Sequence, residues 1–338
     1  MKSPPETKAV GLFSGGLDSA LAVAAVRAQG VAVVALHVRT PFAGGKQEGP
    51  FAVEELARNL AVELVVEETG RAYVGVIKKP RHGRGVALNP CVDCHVHMLR
   101  RARELMLARG ASFCFTGEVL GQRPMSQHRR QLEIVEREAG LEGKLLRPLS
   151  AKLLPPTGAE TEGLVDRGRL FAFRGRSRKP QIALARELGL TGYGSPAGGC
   201  LLTDRHFAAR LADAFAHGED GPADLDLLKL GRHFRLPSGA KAIVGRNEDE
   251  NRALAGHLAG DAVAMEIIGA GSPVTLLKPG REEDRPAAAA LTLRFSDARG
   301  REEAPARVWS AAGELGTLTA RGRDAARAEE WRPAPGPK

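Results

Sequence analysis

Short apolar runs alternate with longer alanine- and leucine-rich ones through the first part of the chain. Val10 to Phe13 suits a short buried strand, and the stretch from Asp18 to about Gln29 has the content and length of a helix. Both pieces are apolar and alternation is weak, so length and the intervening turn residues decide between strand and helix. "VAVVALHVRTPF" (31–42) predicts a second strand with a polar end at His37 and Arg39, and "EELARNLAVELVVEE" (54–68) a helix followed by a third strand. A basic loop, "KKPRHGRGVALNPCVDCHVHM" (78–98), leads to a helix over Met98 to Arg109, and "ASFCFTGE" (111–118) is a strand running into a polar loop. This rhythm predicts an α/β fold with a doubly wound, mostly parallel sheet, in which ligands lie beyond the carboxyl ends of the strands. Ser14 to Ser19, His37 and Thr116 to Gln122 all occupy such ends.

Further along, 166–180 ("DRGRLFAFRGRSRKP") carries six Arg/Lys residues and two phenylalanines whose period-two spacing turns them to a core. The helix "QIALARELGL" follows, then "YGSPAGGCLLTD", and a helix over about Arg205 to Phe215 that closes the first domain. "HGEDGPADL" marks a boundary near residue 220. Beyond it, "LLKLGRHFRLPSGAKAIVGRNEDENRALAGHL" reads as strand, turn at Pro237–Gly239, strand, and a helix capped at Asn247. "AVAMEII" and "SPVTLLKP" add strands and "AAAALTLRFS" a helix-to-strand passage. The expected organisation is therefore a first domain over 1–220, a small α+β domain over 221–300 with a basic edge at Lys229, Arg232, Arg235, Lys241 and Arg246, and a flexible, Arg/Glu/Ala/Gly-rich tail over 301–338.

Composition narrows the partners. A net charge of +9 over 338 residues favours a polyanion, although the total alone identifies none. No apolar stretch reaches the roughly 18 residues needed to span a bilayer. The N-terminal "MKSPPETKAV" lacks a secretory hydrophobic region, so no membrane partner and a cytoplasmic location are expected. The four cysteines, Cys91, Cys94, Cys114 and Cys200, are too few for a disulfide scaffold in a chain this long.

Candidate chemistry begins with "SGGLDS". Gly15 and Gly16 permit a tight turn, and the amides opening the next helix favour an anion. The plain alternative is a strand–helix turn with Asp18 or Ser19 as the cap. The spacing is that of neither the GxxxxGK[ST] loop nor the GxGxxG loop. Cys91 and Cys94, two residues apart between them, suit zinc, a redox dithiol or an iron–sulfur cluster, with His95, His97 and Cys200 available to complete a zinc set. Cys114, inside "SFCF", reads as a small core residue. His37 suits either a hydrogen-bonded strand end or a contact to a base.

Taken together, these residues resemble the PP-loop ATP pyrophosphatases, which have the adenine nucleotide alpha hydrolase-like fold, and among them the tRNA-thiolating enzymes. "SGGLDS" matches the SGGxDS signature in full. "FTGEVLGQRPMSQ" (115–127) and "LLRPLSAK" (145–152) resemble consecutive segments of the 4-thiouridine synthases. "NPCVDC" is similar to the cysteine loop of the 2-thiouridine enzymes, Cys200 corresponds to their distant second cysteine, and Cys91, Cys94 and Cys200 resemble the cluster-binding set of the iron–sulfur-dependent thiolases. The resemblance covers roughly 8–215, and 227–254 is similar to an NFACT-type RNA-binding domain.

The resemblance implies an ATP-dependent tRNA uridine sulfurtransferase. Ser14, Gly15, Gly16, Asp18, Ser19, His37, Thr116, Gly117, Gln122, Arg123 and Lys152 would bind ATP, with Asp18 placing Mg²⁺ and Lys152, Arg123 or Arg147 steadying the departing phosphates. Cys91, Cys94 and Cys200 would hold a [4Fe–4S] cluster whose free iron carries hydrosulfide; alternatively Cys200 carries a persulfide that Cys91 or Cys94 resolves. Zinc at those cysteines, or no metal, are the other outcomes. The expected partners are tRNA, a sulfur donor (free sulfide or a persulfide-bearing protein) and a second copy of the chain. With neither a THUMP-like nor a rhodanese-like module in the sequence, tRNA capture is expected to fall to the C-terminal domain. Two rival readings are a PP-loop synthetase acting on a small molecule and an ATP-sensing RNA-binding protein whose catalysis has decayed.

Overall fold

The computed structural model describes residues 7–43, 51–194 and 199–334. The chain divides into two compact units, the first ending at Thr203 and the second beginning at Asp204.

The first unit is built on β1 (Lys8–Leu12), α1 (Leu17–Arg27), β2 (Ala32–Arg39), α2 (Phe51–Asn59), β3 (Glu63–Glu68), α3 (Arg71–Lys78), α4 (Cys91–Ala108), β4 (Phe113–Phe115), α5 (Arg129–Glu138), β5 (Leu145–Leu146), α6 (Gly158–Thr161) and α7 (Lys179–Glu187). Its five strands are all parallel, in the order β3-β2-β1-β4-β5. Because successive side chains point to opposite faces, Ala9, Val33, Ala35, Phe113 and Phe115 share one core with α1 and α2, while Val10, Val34, Leu36 and Cys114 share another with α4 and α5. Helices thus cover both sides of the sheet. The chain winds outward from β1 to β3 and then returns to lay β4 on the other flank of β1. The crevice between the carboxyl ends of β1 and β4 is therefore the topological switch point. Helix α1 shows little amphipathicity because eight of its eleven residues are buried.

The second unit contains α8 (Arg205–Ala216), α9 (Pro222–Leu227), β6 (Arg232–Arg235), β7 (Lys241–Val244), α10 (Glu248–Gly256), β8 (Val263–Ile267), β9 (Thr275–Lys278), α11 (Arg285–Arg294), β10 (Glu303–Ser310) and β11 (Gly313–Arg321). The strands form one antiparallel sheet in the order β11-β10-β8-β9-β7-β6. Val263, Met265 and Ile267 of β8 pack with the buried alanines of α11, and Ala264 faces Leu254 of α10 on the other side. Among the described residues no helix is long and apolar enough to cross a membrane.

Four expectations are corrected. Helix α8 belongs to the second unit, not the first, because Asp213 on α8 binds Arg235 of β6 (Nη2–Oδ2, 2.7 Å). The expected flexible tail instead forms β10 and β11. Small residues at every second position (Ala304, Ala306, Val308) are buried, although the composition around them is charged. "AAAALTLRFS" is helical through Arg294 with no strand, because Ala288 to Leu291 are fully buried under the sheet. The expected basic edge is largely neutralised: Lys229 pairs with Asp226, Arg235 with Asp213 and Glu219, Lys241 with Glu219, and Arg246 with Glu250.

Candidate active site

At the end of β1 the chain turns through Gly15, whose φ of +76° falls in the left-handed region that glycine alone enters freely. Ser19 Oγ donates to Gly16 O (2.9 Å) and lies 3.2 Å from Ser14 Oγ, so the two serines close the loop across its mouth. No side chain caps α1 at Gly16, which leaves the first-turn amides directed into the loop. Across the switch point, Gly117 follows β4. A Cβ there would stand 2.5 Å from the backbone carbon and oxygen of Asp18, so only glycine lets the TGE loop lie against the first turn of α1.

That contact brings the two polar loops into one site. Gln122 Nε2 donates to Asp18 Oδ2 (2.6 Å), and Gln181 Nε2 on α7 donates to Gln122 Oε1 (2.8 Å). Arg178 Nη1 stands 3.7 Å from the same Asp18 oxygen. Asp18 Oδ1 is buried and has no hydrogen-bond partner among the described residues. A carboxylate steadied on one oxygen and free on the other suits Mg²⁺, which takes one or two protein carboxylates beside phosphate oxygens and water.

Glu118 extends the site toward the cysteines. Its carboxylate accepts from Thr116 Oγ1 (3.0 Å), Arg147 Nε (3.0 Å) and His95 Nδ1 (2.8 Å). Burial alone would raise this carboxyl, but the Arg147 guanidinium and the His95 and Arg147 hydrogen bonds outweigh it and hold it at about 2. Arg147 also reaches Glu136 Oε2 (2.8 Å) and Leu132 O (3.1 Å), so its guanidinium is engaged inside the protein.

The cysteine pair was expected at the end of a loop, with the helix starting near Met98. The structure starts α4 at Cys91, with Pro90 as its cap residue, so both thiols lie on the first turn. The Asp93 carboxylate accepts from Arg81 N (2.9 Å) and His82 N (3.0 Å), which pins the preceding basic loop. Asn89 Nδ2 donates to Cys91 Sγ (3.2 Å), and the buried Tyr73 hydroxyl lies 3.1 Å from Cys94 Sγ. Cys200 sits in a bridge with Ala43, followed by Leu201 N donating to Phe42 O (3.0 Å). Residues 195–198, including Pro196 of the loop before Cys200, lie outside the described residues.

Burial pushes Cys94 up to about 12, opposed by the Tyr73 hydrogen bond and reinforced by the charges of Cys200 and Cys91. Burial also raises Cys200, with the charge of Cys91 adding to it and Arg123 opposing it. The three thiols therefore share one electrostatic environment with Arg123. Thiolate sulfurs are the right donors for an iron–sulfur cluster, but no group of three or more His, Cys, Asp or Glu side chains among the described residues stands in metal-holding geometry. The arrangement described is not that of a formed cluster site. Cys114 is buried in the sheet core, as its apolar neighbours predict.

Of the other expected residues, Thr116, Gln122 and Arg123 belong to this crevice, whereas the Lys152 side chain is directed to the 166–169 segment, which bonds the far end of α1 at Ala28 and Gln29. Thr116 and Gln122 are buried in it, and the exposed Arg123 stands on the same loop. The 171–178 segment runs alongside: Leu120 bridges Arg174, and Gly175 N donates to Leu120 O (2.8 Å). Phe171 and Phe173 stack with ring centroids 5.1 Å apart and pack on Leu17, Leu21 and Val119, so they serve the core. His37 Nδ1 is bonded to Phe13 O (2.8 Å), the strand-end role. Lys152 Nζ donates to Gly168 O (2.7 Å) and is exposed. Sequence reasoning missed Tyr73, His95 as a partner of Glu118, Arg178 as a partner of Asp18, and Gln181. The helix register of Tyr73, Val74 and Ile77, all buried in α3, was a readable signal for the first of these.

A parallel sheet with an SGGxDS turn and a TGE loop meeting at its switch point defines the class: the first unit is a PP-loop ATP pyrophosphatase domain. More particularly, that region is ThiI-like and is joined to an NFACT-type RNA-binding domain. Residues 5–152 match the family described as thiamine biosynthesis protein (ThiI), and 231–332 match the NFACT protein RNA binding domain. Among solved structures the chain is similar to a 4-thiouridine synthetase–RNA complex with bound ATP, at 22% identity and a TM-score of 0.38, over 54% of this chain and 41% of that one. It is also similar to the U34-tRNA thiolase NcsA from Methanococcus maripaludis with its [4Fe–4S] cluster, at 17% identity and a TM-score of 0.33, over 67% and 71%. A third similarity is to the C-terminal part of the fibronectin/fibrinogen-binding protein from Streptococcus suis, at 15% identity and a TM-score of 0.25, over 42% and 67%. The chain thus spans about two fifths of the length of the synthetase it resembles. No curated protein matches it.

Proposed function

We propose that the chain is an ATP-dependent tRNA uridine sulfurtransferase. The observation that carries this reading is the Gly117 contact, which sets the SGGLDS turn and the TGE loop against one another and leaves Asp18 Oδ1 free within the site they form. The first-turn amides of α1, with Ser14 and Ser19, bind the ATP phosphates. Asp18 would hold Mg²⁺, which would neutralise phosphate charge when bound. Gln122 and Arg178 orient the carboxylate.

A uridine carbonyl oxygen attacks the α-phosphorus and pyrophosphate leaves, so the base carries AMP on that oxygen. Adenylation converts a poor leaving group into a good one. Arg123, exposed beside the thiols, adds positive charge where the phosphates depart. A persulfide-bearing donor transfers its terminal sulfur to the Cys200 thiolate and leaves as a thiolate; that terminal sulfur then attacks the ring carbon and AMP leaves. A thiolate from Cys91 or Cys94 then attacks Cys200 Sγ, forming a disulfide and freeing the thiouridine. An external dithiol, or two monothiols in turn, supplies the two electrons that restore the dithiol and is itself oxidised to a disulfide. The target base must leave its stack to reach the crevice, as in other enzymes that act on bases, and the second unit contributes RNA affinity.

A second reading, in which Cys91, Cys94 and Cys200 would bind a [4Fe–4S] cluster, rests on the donor chemistry of three thiols that influence one another. Iron content and visible absorbance of anaerobically purified protein separate the two. The decisive assay is nucleoside mass spectrometry of tRNA incubated with the full chain, ATP and, in separate arms, sulfide or a persulfide donor. Thiouridine in either arm supports the proposal, and its absence in both overturns it. Pyrophosphate release with a small-molecule acceptor but not with tRNA would point to a synthetase instead.

A further inference from the structure

Ion pairs neutralise most of the second unit's basic edge, yet two arginines, Arg210 and Arg232, lie near the paired Arg246 without a carboxylate of their own among the described residues. Arg232, at the start of β6, donates Nη1 to Gly245 O (3.0 Å) and lies 4.8 Å over the Phe295 ring. Arg246 follows Gly245 directly and grips Glu250 through Nε (2.9 Å) and Nη2. Arg210 reaches in from α8. Its guanidinium lies 5.5 Å over Phe207, and its Nε is buried with no hydrogen-bond partner among the described residues.

The carboxylates around these groups are few and already committed. Glu250 accepts from Arg246 and from the backbone amides of Gly231 (3.2 Å) and Arg246 (2.9 Å). Asp204 caps α8 by accepting from Phe207 N (2.6 Å). Arg332, the next cation, is paired with Glu329 (2.8 Å). Burial and the charge of Arg246 both work against protonation of Arg210 and of Arg232, and Arg332 adds to this at Arg232. The fold has thus gathered like charges and left a buried donor unmet. Such an arrangement costs stability unless an anion lies among the guanidiniums. The guanidiniums of Arg210 and Arg232 are held over rings, and a guanidinium's planar fork suits phosphate oxygens.

We propose that Arg210, Arg232 and Arg246 form a subsite for an RNA backbone phosphate, with Glu250 as the internal counter-charge that a phosphate partly replaces. This rests on reading the second unit as RNA-binding. Arg232 and Arg246 lie within the region matched to the RNA-binding family, but Arg210 lies outside it, so the subsite extends the RNA surface onto α8.

The test is binding of transfer RNA by the full chain across a series of salt concentrations, for the parent, an Arg210→Gln/Arg232→Gln pair, and Glu250→Gln. Loss of the subsite should weaken binding about tenfold near 0.1 M salt and lower the slope of log K against log salt by about 1. Glu250→Gln keeps an acceptor for the two amides while releasing Arg246, and should tighten binding severalfold, an effect that misfolding does not mimic. A parent chain that does not bind RNA removes the RNA reading itself. A parent that binds, with affinity and salt slope unchanged in both variants, removes this subsite and leaves the reading intact.

Discussion

His95 Nδ1 donates to Glu118 Oε1 at 2.8 Å, and this bond joins the loop after β4 to α4 just past its first turn. One end belongs to the crevice that receives Asp18 and Gln122; the other is the residue after Cys94. Glu118 is 6% exposed and Arg147, its second partner, 5%, so neither charge has water to fall back on. The relative placement of the nucleotide loops and the thiols therefore depends on a buried ion network.

Removing Glu118 leaves the buried Arg147 with Glu136 as its remaining carboxylate partner. Glu118→Ala is expected to lower stability by about 3 kcal/mol, the low end of the cost of breaking a buried pair, because Glu136 still compensates the guanidinium. Glu118→Gln, which keeps an acceptor, should fall between it and the parent. Urea unfolding of the three chains measures this, and a Glu118→Ala chain as stable as the parent would refute the role of the network.

Acid should act on the two units over different pH windows. His233 in β6 is buried and pushed down to about 3, first by burial and then by the charges of Arg210 and Lys241. The unfolded chain binds a proton at this position near pH 6.5 and the folded one only near 3, so its share of stability is present above about 6.5 and declines as the pH falls toward 3. Glu118 is held at about 2 against an unfolded value near 4.3, so its share begins to decline only below about pH 4 to 5 and is exhausted near 2. Thermal melts between pH 7 and 3 should show the second unit weakening first, and His233→Gln should flatten that part of the curve.

How much of this was readable depended on whether the deciding contacts were local. The sheet was legible because strand and helix lengths in the first 115 residues are set by nearby turns and apolar content, and the SGGLDS and TGE loops could be placed at strand ends from that rhythm alone. The start of α4 at Cys91 was not, because the preceding basic loop takes its shape from Asp93 accepting two of its amides. The Glu118 and Asp18 networks join residues 23 to 163 positions apart (His95 to Glu118; Asp18 to Gln181 through Gln122), which no periodicity reports. In the second unit, charge composition hid alternation: Glu303, Pro305 and Arg307 alternate with buried Ala304, Ala306 and Val308, and the charged residues dominated the reading.

Gly117→Ala tests the close approach of the two nucleotide loops. The added methyl would meet the Asp18 backbone at 2.5 Å, and backbone on both sides leaves no flexible side chain to move aside. Separating the loops should cost about 1–3 kcal/mol of stability, as overpacking does, and should weaken ATP binding together with Asp18→Asn. Calorimetric titration with ATP and Mg²⁺ measures the effect. Asp18→Asn alone should weaken binding mainly when Mg²⁺ is present, because the amide oxygen can still accept from Gln122 while the cation loses a charged oxygen ligand. An equal loss with and without Mg²⁺ would contradict the assignment of Asp18 Oδ1 to the cation.

The 303–321 hairpin is held by packing that its charged composition hides. Ala304, Ala306 and Val308 on β10 and Ala320 on β11 are at most 3% exposed and pack with the alanines of α11. β10 also closes the sheet against β8, where Val308 pairs with Met265 and Ala306 with Ile267. Ending the chain after Arg301 would uncover that face of α11 and turn β8 into an open edge with unpaired amides. The expected outcome is loss of cooperative unfolding in the second unit and aggregation on heating. Ending it after Ala334, which keeps every residue named in that packing, should leave the melt unchanged. Proteolysis of the full chain gives an independent check: the 303–321 hairpin should resist cleavage under native conditions as the sheet does, and rapid native cleavage within it would return the segment to the status of a tail.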